Sequence, residues 1–138
     1  MDKFWKQFKS GTDIRGVASE GVAGQKINLT DEVVEKISAG FVLWLSKKAN
    51  KPADQLIISV GHDSRISASR IQAAVTKALE PAGVTVYDCG LASTPSMFMT
   101  TVDLKCDGAV QITASHHPFN RNGLKFFTPD GGLESDDI

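Results

Sequence analysis

Leu56-Ile57-Ile58-Ser59-Val60, the segment from Ser67 to Glu80, and Val84-Thr85-Val86-Tyr87 together decide the fold. The first and last are short runs of apolar and β-branched residues, the pattern of strands buried on both faces. Between them Ile71, Ala74, Val75, Ala78 and Leu79 share one stripe at helical spacing. Pro81-Ala82-Gly83 breaks that helix before the second strand begins. Strand, helix, strand in this order is a crossover unit, and right-handed crossovers put the helices on the sheet faces.

The same alternation continues outward. Upstream, Thr30 to Lys48 carries Val33, Val34, Ile37, Phe41, Trp44 and Leu45 at spacings of three and four. Its first turn holds Asp31 and Glu32 and its last Lys47 and Lys48, which complements the helix dipole, and Lys51-Pro52 ends it. The aromatics of this helix are core by spacing. Downstream, Thr94-Pro95 reads as a cap followed by the first helical position of a helix running to about Lys105. Residues 108–113 and 123–127 read as further strands, and Pro129-Asp130-Gly131-Gly132 as a turn. The expected class is α/β. The expected architecture is one three-layer α/β/α domain over residues 1–138, with helices flanking a mixed, mostly parallel sheet of about four strands.

Composition narrows the partners. A hydrophobic fraction of 41% with 22% charged residues describes an ordinary globule. The net charge of −1 gives no general attraction to nucleic acid or to an anionic membrane, so any anion site must be local. The charged start, Met1-Asp2-Lys3-Phe4-Trp5-Lys6, carries no signal-peptide pattern, and no segment approaches the ~20 apolar residues of a membrane span. A cytoplasmic location is the expectation. Cys89 and Cys106 lack a CxxC spacing and read as buried free thiols.

In open α/β sheets ligands gather at the carboxyl ends of the strands. Three loops leave such ends: residues 61–65, 89–93 and 114–118. The third, in Thr113-Ala114-Ser115-His116-His117-Pro118, carries the chemistry. Ser115 emerges beside small residues, His116 can exchange a proton near neutral pH, and Lys125 returns to the serine if residues 118–123 form a compact excursion. Pro118, Asn120, Asn122 and Gly123 favour that excursion. Positioning and positive charge are what phosphoryl transfer asks of a protein. Arg15, in Gly11-Thr12-Asp13-Ile14-Arg15-Gly16, suits bidentate phosphate contact, and the amides of Gly11 and Gly16 are candidates to line the same cavity. For Arg65, pairing with Asp63 or capping the next helix competes with substrate contact. Zinc on His116 and His117 is disfavoured, since it needs three or four ligands and the cysteines lie far off in sequence.

Residues 11–16, Gly61-His62-Asp63-Ser64-Arg65 and residues 113–118 resemble three motifs of the α-D-phosphohexomutases, which include phosphoglucomutase, phosphomannomutase and phosphoglucosamine mutase. Asn122-Gly123-Leu124-Lys125 resembles a fourth element at the expected distance from the serine. The resemblance implies that Ser115 carries a phosphate and donates it to a hexose monophosphate. A bisphosphorylated sugar then turns around and returns its other phosphate. It implies that Lys125 and His116 serve proton transfer and phosphate stabilisation, that Thr12, Arg15 and Lys125 bind phosphate, and that the Ser115 phosphate is one ligand of Mg2+. Hexose phosphate is the implied substrate and a hexose 1,6-bisphosphate the implied activator.

The chain departs from the family at His117, where Asn is commonest, and at His62, where many members have Arg. The aspartate-rich loop that supplies the other magnesium ligands in the family is not found, and Glu134, Asp136 and Asp137 are not spaced like it. The resemblance therefore covers the first of about four family domains. It makes this an N-terminal fragment of a mutase, inactive alone. The alternative is a domain that binds phosphate or a phosphosugar without turnover.

Overall fold

The computed structural model describes residues 2–115 and 117–138; the expectation for His116 lies outside them. The decisive stretch folds as read. Strand β3 (Ile57–His62) leads into helix α3 (Ala68–Leu79), which returns the chain to β4 (Thr85–Leu91), parallel to β3. Ile71, Ala74, Val75 and Leu79 of α3 are buried, and Gly83, at φ 85°, makes the left-handed turn into β4.

Helix α2 (Asp31–Ala49) precedes this unit. The Thr30 side chain accepts a hydrogen bond from Val33 N, and Asn50 closes the helix in a left-handed conformation at φ 54°. After β4 comes α4 (Thr94–Asp103), then β5 (Gly108–Ile112) parallel to β3 on its other side, and β6 (Arg121–Thr128) antiparallel to β5. The α4 cap is Ser93 rather than Thr94, its hydroxyl accepting from Ser96 N at 3.2 Å. A register shift between Val60 and Gly61 pairs Gly61 with Gly90 and His62 with Leu91. Strand β4 thereby extends through residues expected to be loop.

The three-layer α/β/α class stands, with a mixed sheet that is larger than four strands. The N-terminal piece contributes a one-turn helix, α1 (Lys3–Lys6), and a hairpin of β1 (Lys9–Ser10) and β2 (Asp13–Val17). With the two-residue β7 (Gly131–Gly132) on β6, the sheet has seven strands in the order β1-β2-β6-β5-β3-β4. Parallel pairing holds only within β4-β3-β5; the other pairings are antiparallel. The added strands are two to five residues long and mostly polar or glycine, so no apolar run announced them.

Alternation along the strands divides the core. Ile58, Val60, Val110, Ile112, Leu124 and Phe126 face α2 and α3 in the main cluster. Ala109 and Phe127 face Met97 of α4 on the opposite side. Burying each such large side chain stabilises the fold by about 1.5–3 kcal/mol. The rigid slab that results presents the ends of β3, β4 and β5 along one edge.

Candidate functional site

Strand β5 ends at Ile112, and residues 113–120 form the excursion that brings β6 back beside it. Ile112 pairs with Leu124 and Gln111 with Lys125, so β6 returns beside β5 with Lys125 opposite Gln111. Asn122 is fully buried and donates from Nδ2 to Ser67 Oγ, at the start of α3, while its Oδ1 accepts from Gly123 N. Asn120 accepts at its carbonyl from Ala18 N and Ser19 N. The loop is thus stitched at its far end to both α3 and the segment after β2.

Ser115 stands at φ 54°, a left-handed conformation that costs a non-glycine residue about 1–2 kcal/mol. Its amide donates to Thr113 Oγ1 at 3.0 Å, and that hydroxyl donates to Asp63 Oδ2 at 2.8 Å. Arg65 holds the other side. Its Nη2 donates to the carbonyls of Ser115 (2.6 Å) and His117 (2.8 Å), and its Nη1 to those of Pro118 (2.7 Å) and Arg121 (3.2 Å). Its Nε lies 3.5 Å from Asp63 Oδ2. One planar guanidinium, steadied by a carboxylate, therefore fixes four carbonyls of the serine loop. Arg65 thus pairs with Asp63, as its position two residues away suggests, and also clamps the loop. His62 behaves structurally, its Nδ1 donating to the Asp63 carbonyl at 2.7 Å.

Arg15 is only 5% exposed and lies beneath the same loop. Its Nη1 donates to the carbonyls of Thr113 (2.6 Å) and Ile14 (3.1 Å), and its Nη2 pairs with Asp13 Oδ2 at 2.9 Å. The side chain crosses the backbone of Gly123. A Cβ there would run into the Ile14 backbone carbonyl and stand 2.7 Å from Arg15 Nη1 and 2.9 Å from its Cδ, so the close approach of β2, with the arginine above it, requires the glycine of the Asn-Gly element. Burial holds the Arg15 guanidinium below its usual pKa; Asp13 and Asp63 pull it up, while Arg65 and Arg121 reinforce the depression. Lys125 Nζ reaches the other oxygen of Asp13 at 2.9 Å and lies 5.8 Å from the Phe127 ring centre.

Thr12 sits in the exposed β1–β2 turn, its hydroxyl 3.4 Å from Asp13 Oδ1. Gly16 is in register with Asn122 and walled by Asn28 and Leu29, so it serves packing rather than a cavity. Beside Ser115 the surface opens into a depression lined by Asp63, Ser64, Arg65, Ile66, His117 and Phe119. A chain of contacts thus runs from Lys125 through Asp13 and Arg15 to Thr113 and Ser115, and Asp63 and Arg65 hold the loop from its other side. Alternation on β2 could have found Asp13, since residues 13 and 15 share a face. Nothing in the sequence signals that Arg65 reaches across to carbonyls some fifty residues later.

The phosphoglucomutase/phosphomannomutase α/β/α domain I model matches residues 6–138. The chain belongs to the phosphoglucomutase/phosphomannomutase family. Phosphoglucosamine mutase of Leuconostoc mesenteroides is 35% identical over 129 residues, covering 93% of this chain and 27% of that protein. Phosphoglucosamine mutase of Lactobacillus helveticus is 37% identical over 131 residues, with the same two coverages. A crystal structure of a phosphoglucomutase/phosphomannomutase family protein from Burkholderia thailandensis shares the fold at a TM-score of 0.62 and 24% identity, over 96% of this chain and 27% of that one. The chain thus spans about a quarter of the length of these relatives.

Two further properties bear on function. Among the described residues no group of three or more His, Cys, Asp or Glu could hold a metal ion, and both carboxylates nearest Ser115 are paired with cations. Among those residues, too, no helix is long and apolar enough to cross a membrane.

Proposed function

We propose that this chain is the serine-bearing domain of a hexose-phosphate mutase, and that Ser115 carries the transferred phosphoryl group. The observation that supports this best is the pre-set serine: Ser115 is held left-handed between Thr113 and Arg65, with Arg15 bonded to the Thr113 carbonyl beneath it, in a chain of this family. In the forward step a sugar hydroxyl attacks phosphorus, the bond to Ser115 Oγ breaks, and the hydroxyl proton leaves to a base. Ser115 Oγ is released as alkoxide and takes a proton from an acid. His116 and Lys125 are the candidates for this proton traffic, with Arg15 steadying the loop floor and Thr12 at the rim. The return step repeats the chemistry with the sugar's other phosphate, so the intermediate is a hexose 1,6-bisphosphate, which also serves as activator.

The described residues do not build a magnesium site by themselves. A phosphate on Ser115 would supply one Mg2+ ligand, a bound ion would supply charge neutralisation, and the remaining ligands would come from outside these residues. The substrate class is a hexose phosphate, with no nucleic acid or membrane partner, and the setting is cytoplasmic. Residues 1–138 are one domain, and alone it is inactive.

Turnover tests the reading in a chimaera in which this chain replaces the matching quarter of the Leuconostoc phosphoglucosamine mutase. The chimaera is expected to interconvert hexose 1- and 6-phosphates and to carry one phosphate by intact mass. Ser115→Ala is expected to carry none and to lose at least about 1,000-fold in turnover. Undiminished turnover in that variant would refute the assignment. A chimaera that binds hexose phosphate without turning it over would favour the alternative of a binding domain.

A further inference from the structure

The cations around Ser115 are not equivalent. Arg65 spends its two Nη groups on four loop carbonyls and faces Asp63 with Nε. Arg15 is committed to two carbonyls and to Asp13, and Lys125 is paired with Asp13. Arg121 makes no side-chain hydrogen bond and no ion pair among the described residues; its Nε, like that of Arg65, is buried without a hydrogen-bond partner, but Arg121 has no bonds from its Nη groups to compensate. A buried guanidinium N–H left unmatched costs stability, so its retention calls for an explanation.

Its position supplies one. Residues 121, 123 and 125 of β6 share the sheet face on which Arg15 crosses Gly123, because side chains alternate along a strand. Arg121, Arg15 and Lys125 therefore form a row, with Arg15 in the middle. Arg121 acts electrostatically on Arg15, and the backbone carbonyls of Arg121 and Ser115 are both bonded to one guanidinium, that of Arg65. Four cations, Arg15, Arg65, Arg121 and Lys125, meet only two carboxylates, Asp13 and Asp63. Two positive charges remain unmatched, the charge of one phosphate monoester dianion.

We propose that Arg121 is a phosphate ligand, completing a cationic row that grips the phosphoryl group exchanged at Ser115. This rests on the mutase reading for the identity of the ester, but not for the existence of the anion site. Arg121 lies outside the motif elements quoted above, so the row distinguishes this chain's site by a cation those elements do not require.

The test is titration of the 138-residue chain with inorganic phosphate, followed through the Arg121 Nε–Hε resonance. That resonance is expected to shift on binding. Arg121→Gln is expected to weaken affinity about tenfold, Arg121→Lys to recover part of it, and removal of a remote cation, Lys105→Ala, to leave it unchanged. Ser115→Asp places a carboxylate at the serine. It should compete with phosphate and weaken its binding; unchanged affinity in folded Ser115→Asp would place the anion away from the serine and overturn the proposal. If Arg121→Gln fails to fold, the wild-type resonance and Arg121→Lys decide. An unmoved Nε–Hε at saturating phosphate, or unchanged affinity in folded Arg121→Gln, overturns the proposal. Phosphate binding that persists while the Ser115→Ala chimaera keeps full turnover would sink the mutase reading and leave the anion site standing.

Discussion

Arg65→Lys should loosen the serine loop without loosening the domain. The lysine keeps the charge that pairs with Asp63, but a single ammonium cannot reproduce a planar fork that reaches carbonyls of Ser115, His117, Pro118 and Arg121. At least two of the four hydrogen bonds are lost. A bond from a charged donor contributes roughly 1.5 kcal/mol at this partly exposed position, so local opening becomes about 3 kcal/mol easier. That is roughly a 100-fold faster exchange from the open form. Native-state hydrogen exchange reads this at the amides of His117, bonded to the Ala114 carbonyl, and Arg121, bonded to the Pro118 carbonyl. Amides of β3 report global unfolding and should stay near their wild-type rates. His117 and Arg121 amides exchanging within about threefold of wild type would refute the clamp. An equal acceleration in β3 would show that Arg65 supports the domain as a whole.

Two other perturbations probe the frame around the site. Gly123→Ala drives a methyl group against Arg15 Nη1 and Cδ and the Ile14 carbonyl, backbone that cannot swing away. A cost of about 3 kcal/mol, or some 10 °C in melting temperature, is expected by thermal unfolding, and a change under about 2 °C would contradict the crossing. The thiols test the second face. Burial pushes the Cys106 thiol up, with Cys89 and Asp107 adding to the effect and a Ser59 hydrogen bond opposing it; burial and Asp88 raise Cys89. The folded state then holds its thiol protons more tightly than the unfolded chain, so this contribution to stability is intact below about pH 9 and declines as pH rises beyond it. At pH 8 a thiol reagent should modify half-buried Cys89 well before buried Cys106, and equal rates would show that the α4 layer opens readily.

The crossover core was legible because its signals are periodic: the β3 and β5 runs and the α2 and α3 stripes each announce one structure. The strands on the β6 side were not. Gly131-Gly132 and Lys9-Ser10 carry no apolar pattern and pair only because β6 and β2 already offer edges. For the site, residue chemistry marked Ser115, Lys125 and Arg15 as charged or nucleophilic groups in small-residue loops. What Arg15 touches could not be read, since its contact with Thr113 spans 98 residues and depends on a strand order that chain order does not dictate. Arg65 and Arg121 were obscured for the same reason. A guanidinium beside an aspartate looks like a local pair, and a lone arginine before Asn-Gly looks like a solvated loop residue.

The passage of Arg15 over Gly123 also dictates an order of assembly. Strand β2 leaves its β1 turn early in the chain, yet its partner β6 is made more than a hundred residues later. During synthesis the crossover unit β3–α3–β4 can collapse first on its own local contacts, while the arginine waits on an unpaired segment. Only when β6 has emerged can β2 be laid against it and the guanidinium be drawn under Thr113. The floor beneath the serine loop therefore waits on β6, and joins strands more than a hundred residues apart.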